Sequence, residues 1–221
     1  MSESISLVRD ILDVPTNYSI VFLQGGASLQ FSMVAQNLIA DNKPVNAIHT
    51  GIWTKKAIKE IKKEANCTVI ASSEDKNFTY LPDLSTCDYS NSSFTYMCSN
   101  NTIFGTQFKA FPDTGDSPLV ADMSSDILSR PLDISKFGLI FAGAQKNIGP
   151  SGITLVIIRK DLAERASDTL PSMLQYKSYL DSNSLYNTIP TFPVYFISLV
   201  LYLHLVILNH KIQPTNYILI L

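Results

Sequence analysis

The chain has 221 residues, 46% of them hydrophobic and only 16% charged, with a formal net charge of −2. That length allows one sizeable core and part of a second domain, and the balanced charge excludes a chain built to neutralise nucleic-acid phosphates. Cys67, Cys87 and Cys98 lack metal-type spacing and the three histidines lie far apart, which argues against a disulfide framework and against zinc; reduced thiols in the cytoplasm are expected.

Leu7, Val8, Ile11 and Leu12 recur at helical spacing and Pro15 ends the run, so residues 1–17 are expected to form a helix and lead-in, acidic in places and unlike a secretory leader. Tyr18–Leu23 (YSIVFL) reads as a strand that stops at Gly25 and Gly26, and Phe31, Val34, Ala35 and Leu38 follow at helical spacing. The backbone N–H groups of Ala27 and Ser28 then lie at a helix N-terminus, which suits either a phosphate or a simple cap at Ser28. Val45–His49 is a second strand. Trp53 falls at the turn into a helix whose Lys55, Lys56, Lys59, Lys62 and Lys63 alternate with Glu60 and Glu64, the pattern of a solvated face.

Residues 67–71 and 94–98 carry strand character, separated by a loop over 81–93, and the second run leads into Ser99, Asn100, Asn101 and Thr102. Leu119–Asp122 is a short strand ending in a carboxylate. Asp122 can cap the next turn or, at the C-terminal end of a strand in an open α/β sheet, face a ligand. Residues 139–141 and 153–158 are buried-type strands around a loop of small residues holding one lysine, Lys146. That lysine either reaches out to water or stands where burial would favour a neutral, nucleophilic amine. Asn187 and Thr188 precede Pro190 in a turn. Residues 194–208 are almost wholly apolar but shorter than the about 20 residues of a membrane span, so no membrane role is expected. Alternating strands and helices, with ligand-type residues at strand ends, indicate a three-layer α/β domain with a mostly parallel sheet.

A series of segments resembles, in order, the phosphoserine aminotransferase family of fold-type I pyridoxal-phosphate (PLP) enzymes: FLQGGASLQFSMVAQNLI from Phe22, TGIW from Thr50, SNNTIFG from Ser99, VADMSSDILSRPLDISKFG from Val120, FAGAQKNIGPSG from Phe141 and YNTIPT from Tyr186. The resemblance implies an αβα large domain with a mixed, mostly parallel sheet over residues 18–201, followed by a divergent apolar tail over 202–221. It implies that Lys146 carries PLP and that Asp122 pairs with the pyridine nitrogen. By the same resemblance Trp53 covers the ring, Thr102 contacts it, and Ala27, Ser28 and Gln145 anchor its phosphate, with Asn187 and Thr188 reaching in from the second subunit of a homodimer. Asn101 stands where the family commonly has Glu, and Phe104 where His is common.

The implied reaction is transfer of an amino group between glutamate and 3-phosphohydroxypyruvate, giving phosphoserine and 2-oxoglutarate in L-serine biosynthesis. The family's substrate-binding arginine and its C-terminal His-Arg pair have no counterpart here, so an incomplete chain is expected. It would be a truncated enzyme, a catalytically silent fragment or another fold-type I transferase; a desulfurase would carry His where Gln145 precedes Lys146.

Overall fold

The computed structural model of the protein describes residues 1–40 and 42–209. Runs of β-branched, leucine and aromatic residues become the strands of one seven-stranded sheet: β1 (Tyr18–Leu23), β2 (Val45–His49), β3 (Cys67–Ser72), β4 (Thr95–Cys98), β7 (Leu119–Asp122), β8 (Leu139–Gly143) and β9 (Thr154–Arg159). Its order is β1-β9-β8-β7-β4-β2-β3. A small antiparallel ribbon, β5 (Asn100–Asn101) and β6 (Thr106–Gln107), follows β4.

Pairs β3–β2, β2–β4, β4–β7 and β7–β8 are parallel, whereas β9 runs antiparallel to both β8 and β1. One reversed strand therefore leaves β1, β2, β3, β4, β7 and β8 pointing the same way. Their C-terminal ends open at one edge of the sheet, where ligands gather in folds of this kind.

The period of two along each strand divides the core between the two faces. Ile20, Phe22, Ile140, Ala142, Leu155 and Ile157 meet Leu7 and Val8 of α1 (Ser2–Ile11) and Val194, Ile197 and Leu201 of α6 (Thr191–Asn209). Val21, Leu23, Leu139, Phe141, Val156 and Ile158 face the other way. They pack on Phe31, Val34 and Leu38 of α2 (Gly26–Leu38), Ala57 and Ile61 of α3 (Ile52–Glu64), Leu162 of α4 (Lys160–Ala163), and Tyr176 and Tyr179 of α5 (Tyr176–Asp181). This is the three-layer αβα arrangement.

The lysines of α3 are exposed, as a solvated face requires. Helix α6 buries Val194, Ile197 and Leu201 but exposes Phe192, Tyr195, Tyr202 and Leu203. It continues past residue 201 to Asn209, and residues 210–221 of the expected tail lie outside the described residues. Among the described residues no helix is long and apolar enough to cross a membrane, and no group of His, Cys, Asp and Glu could hold a metal ion.

Candidate active site

Four strand ends and one loop enclose a cavity of about 160 Å³, lined by Ala27, Ser28, Trp53, Asp122, Gln145 and Lys146, together with Gly26, Phe31, Cys98, Asn100, Ser124 and Ser125. The end of β1 supplies the first wall. Gly25 and Gly26 adopt φ of 90° and 65°, a left-handed turn that glycine enters without steric cost. At Gly25 a Cβ would lie 2.4 Å from Leu29 Cδ2. Helix α2 thus begins at Gly26, two residues before the alternative cap at Ser28, and its N-terminus has neither a side-chain cap nor an acid in its first turn. The positive end of its dipole and the first N–H groups of the helix are available to an anion.

The end of β7 supplies the carboxylate. Asp122 is 5% exposed, and both of its hydrogen bonds fall on one oxygen: Ser124 N at 3.0 Å and Ser124 Oγ at 2.6 Å donate to Oδ1. Ser124 Oγ in turn accepts from Gly143 N at 2.9 Å, which ties the carboxylate to the end of β8. No hydrogen bond from a described residue reaches Oδ2. Burial pushes the Asp122 carboxyl above its ordinary range, against the lowering effects of the Ser124 hydrogen bonds and the Lys146 charge. A cationic N–H donor meeting Oδ2 would offset that burial cost.

Trp53 stands in the first turn of α3, with its Nε1 buried and without a partner among the described residues. The Nζ of Lys146 lies 5.0 Å from its ring centroid and that of Lys56 4.8 Å away, both within cation–π range. Lys146 also donates to Thr102 Oγ1 at 3.2 Å. The lysine is half-buried, between the two alternatives that its small-residue loop leaves open. A return between antiparallel neighbours lies at the sheet's end, not within it. The loop closes through Ala144 N to Ile153 O and Gly149 N to Ala144 O, each 2.9 Å, and it rests on α6: a Cβ on Gly149 would come 2.6 Å from Ile197 Cγ1.

The cavity therefore gathers six of the residues singled out from the sequence, and Thr102 joins them through Lys146. Asn187 and Thr188 do not line it. Their segment is pinned to β1, where Phe22 N donates to Ser184 Oγ at 3.0 Å and Gln24 Nε2 to Thr188 O at 2.7 Å. Sequence reasoning passed over Ser124, Ser125, Asn100 and Cys98. For Ser124 a signal was present, since Asp-x-Ser favours a side-chain-to-backbone turn that commits one carboxylate oxygen. Asn100 and Ser125 are joined by a 2.9 Å hydrogen bond between segments 25 residues apart, which no local pattern announces. Together, an uncommitted carboxylate oxygen, an indole face, an amine and a helix N-terminus can hold a planar, N-protonated heterocycle that carries a phosphate.

Residues 1–213 match the family model described as aminotransferase class-V. The chain is 56% identical over 195 residues to a phosphoserine aminotransferase of Geobacillus kaustophilus, covering 88% of this chain and 54% of that protein. It is 54% identical over 204 residues to one of Desulfosudis oleivorans, covering 91% and 56%. Among solved structures, phosphoserine aminotransferase from Bacillus circulans subsp. alkalophilus superposes with a TM-score of 0.90 at 46% identity, covering 95% of this chain and 58% of that one. The PLP-bound enzyme from Trichomonas vaginalis gives 0.86 at 38%, covering 93% and 58%. The chain spans about half the length of the relatives it matches.

Proposed function

The chain belongs to the class-V aminotransferase family, and from that premise we propose that it is the PLP-binding part of a phosphoserine aminotransferase, which exchanges an amino group between glutamate and 3-phosphohydroxypyruvate in L-serine biosynthesis. The observation that carries this reading is Asp122, buried with Oδ2 uncommitted, in one cavity with Lys146 and Trp53. The residues fit PLP: a pyridinium N–H answers Oδ2, the Trp53 face matches a flat ring, and the start of α2 suits a phosphate.

When bound, PLP supplies an electron sink for the bond broken at the substrate α-carbon. Asp122 keeps the ring nitrogen protonated, and Ser124 fixes the orientation of the carboxylate. Trp53 excludes water from one face of the ring, and Thr102 with Trp53 holds the lysine amine near the reacting side. Ala27, Ser28 and Gln145 anchor the phosphate. Lys146 would hold PLP through its amine, and the free amine would move a proton at the substrate α-carbon.

The homodimer belongs to the same proposal. Asn187 and Thr188 lie outside their own chain's cavity, on a segment held to β1 and followed by the exposed Phe192 and Tyr195 of α6. They would complete a partner subunit's phosphate site. Residues 18–201 then make up the PLP-binding large domain of a cytoplasmic enzyme.

Incubating the purified chain with PLP, reducing with borohydride and mapping the modified peptide tests the assignment. Label is expected on Lys146 and is expected to disappear in Lys146→Ala. Label on another lysine, undiminished by that substitution, would overturn it.

A further inference from the structure

Trp53 owes its place to groups outside the cavity. The side chain of Thr54, fully buried, sits at the N-terminus of α3: its Oγ1 accepts from Thr50 N and Gly51 N, both at 3.1 Å, and lies 2.9 Å from Gly51 O and 2.9 Å from His49 Nδ1. Thr54 Oγ1 donates its single proton to Gly51 O. His49 packs against the same hydroxyl through Nδ1, and its Nε2 faces Glu74 Oε2 at 3.8 Å.

The same turn is gripped from its other side by the residue next to Thr102. Asn101 is 1% exposed and its Nδ2 donates to Thr50 Oγ1 at 3.1 Å. The turn and Asn101 are pressed together, since a Cβ on Gly51 would come 2.9 Å from Asn101 Oδ1. The rings of His49, Phe78 and Phe104 continue this contact at centroid separations of 4.9 and 5.0 Å.

We propose that Thr54 and Asn101 are positioning residues: together they lock the β2–α3 turn to the β5–β6 ribbon and so fix Trp53 and Thr102 relative to each other across the cavity. The indole and the Thr102 hydroxyl are the two groups that touch the Lys146 amine from these elements. Their separation is set by a hydroxyl and an amide that never meet the ligand. The proposal deepens the PLP reading and names further residues for the same site.

Trp53 is the single tryptophan of the chain, so the long-wavelength edge of the near-ultraviolet circular dichroism, beyond tyrosine and phenylalanine absorption, and fluorescence excited at that edge report on the locked element. Thr54→Val, Thr54→Ser and Asn101→Ala should be compared with wild type for the tryptophan dichroism signal, for PLP affinity by fluorescence quenching, and for global stability in urea. Thr54→Val and Asn101→Ala are expected to flatten the dichroism signal and weaken PLP about tenfold, the scale of a small misplacement at a positioned group, while Thr54→Ser restores both. Should Thr54→Val fail to fold, Asn101→Ala carries the test alone. Wild-type dichroism and affinity in the folded variants would overturn the proposal, as would a Thr54→Ser variant no better than Thr54→Val. Failure of the wild-type chain to bind PLP would instead overturn the functional reading, and the dichroism would still decide whether Trp53 is locked.

Discussion

Ile197 couples α6 to the lysine loop, and removing it should loosen both. Its side chain is fully buried in the α6 face of the core and meets Gly149 so closely that a methyl there would overlap Cγ1. Ile197→Ala deletes three carbons, a transfer loss of about 2.4 kcal/mol at ~0.8 kcal/mol per methylene. A residual cavity of up to about 80 Å³ would add up to about 2 kcal/mol. The expected loss is about 2.5–4.5 kcal/mol, or roughly 5–18 °C in Tm for a chain of this size. Urea unfolding followed by far-ultraviolet circular dichroism measures the first quantity, and PLP labelling at Lys146 should slow in parallel. Gly149→Ala alone overpacks the same contact, at a cost of about 1–3 kcal/mol. In the double variant the new methyl enters the space left by Ile197, so the combined loss should fall short of the sum. Strict additivity, or an Ile197→Ala loss under about 1 kcal/mol, would refute the claim that α6 supports the loop.

Asp122→Asn should stabilise the chain in the absence of PLP while weakening PLP binding. Burial raises the Asp122 carboxyl above 3.8, so its contribution to stability is fully present below that ordinary value and is lost as pH rises through the raised one. Asparagine keeps an Oδ1 acceptor for Ser124, so its advantage over wild type should grow as pH rises from about 4 through the raised value and then level off; a pH-independent difference would contradict the assignment. Gly25→Ala forces a left-handed φ of 90° on a residue with a Cβ and drives it into Leu29. It should cost about 1–2 kcal/mol in the backbone alone and reduce affinity for inorganic phosphate, as calorimetry would show. Tyr18→Phe removes a buried 2.6 Å hydrogen bond to Phe137 O and should cost about 1 kcal/mol in urea unfolding, with labelling of Lys146 unchanged.

The strand runs and their glycine or carboxylate endings were legible because each is a local pattern: YSIVFL before Gly25 and Gly26, LVAD ending at Asp122, LIF before the lysine loop. Their order in the sheet was not. ITLVII reads the same whether β9 is parallel or antiparallel, and the choice is made by pairing with β1 and β8, elements far away in the chain. Motif resemblance brought Ala27, Ser28, Trp53, Asp122, Gln145 and Lys146 to one place, whereas composition alone left each with a bland alternative. Ser124 and Asn100 escaped because their partners, Gly143 and Ser125, are neighbours only once β7, β8 and β4 are side by side. The exposure of Lys146 stayed open for a related reason: small neighbours in sequence do not say on which side of a strand end the loop will lie.

The reversed strand β9 also governs when the sheet can be completed. Among the described residues β1 pairs with no other strand, and Thr154, the first residue of β9, comes 131 positions after Leu23. At a synthesis rate of about 5–20 residues per second, β1 therefore waits roughly 7–26 s for its partner. During that interval Ile20, Val21, Phe22 and Leu23 form an apolar β-type run with a free edge, the kind of segment that pairs with other chains when left uncovered. Helix α2, made directly afterwards, shelters one face through Val21 and Leu23, and α1, already made, covers part of the other through Leu7 and Val8; the edge stays open until β9 arrives, and the second face is completed only with α6. β1 is thus secured only after β9 has been made, and the anion-facing start of α2 that hangs from it acquires its final place only when the sheet closes.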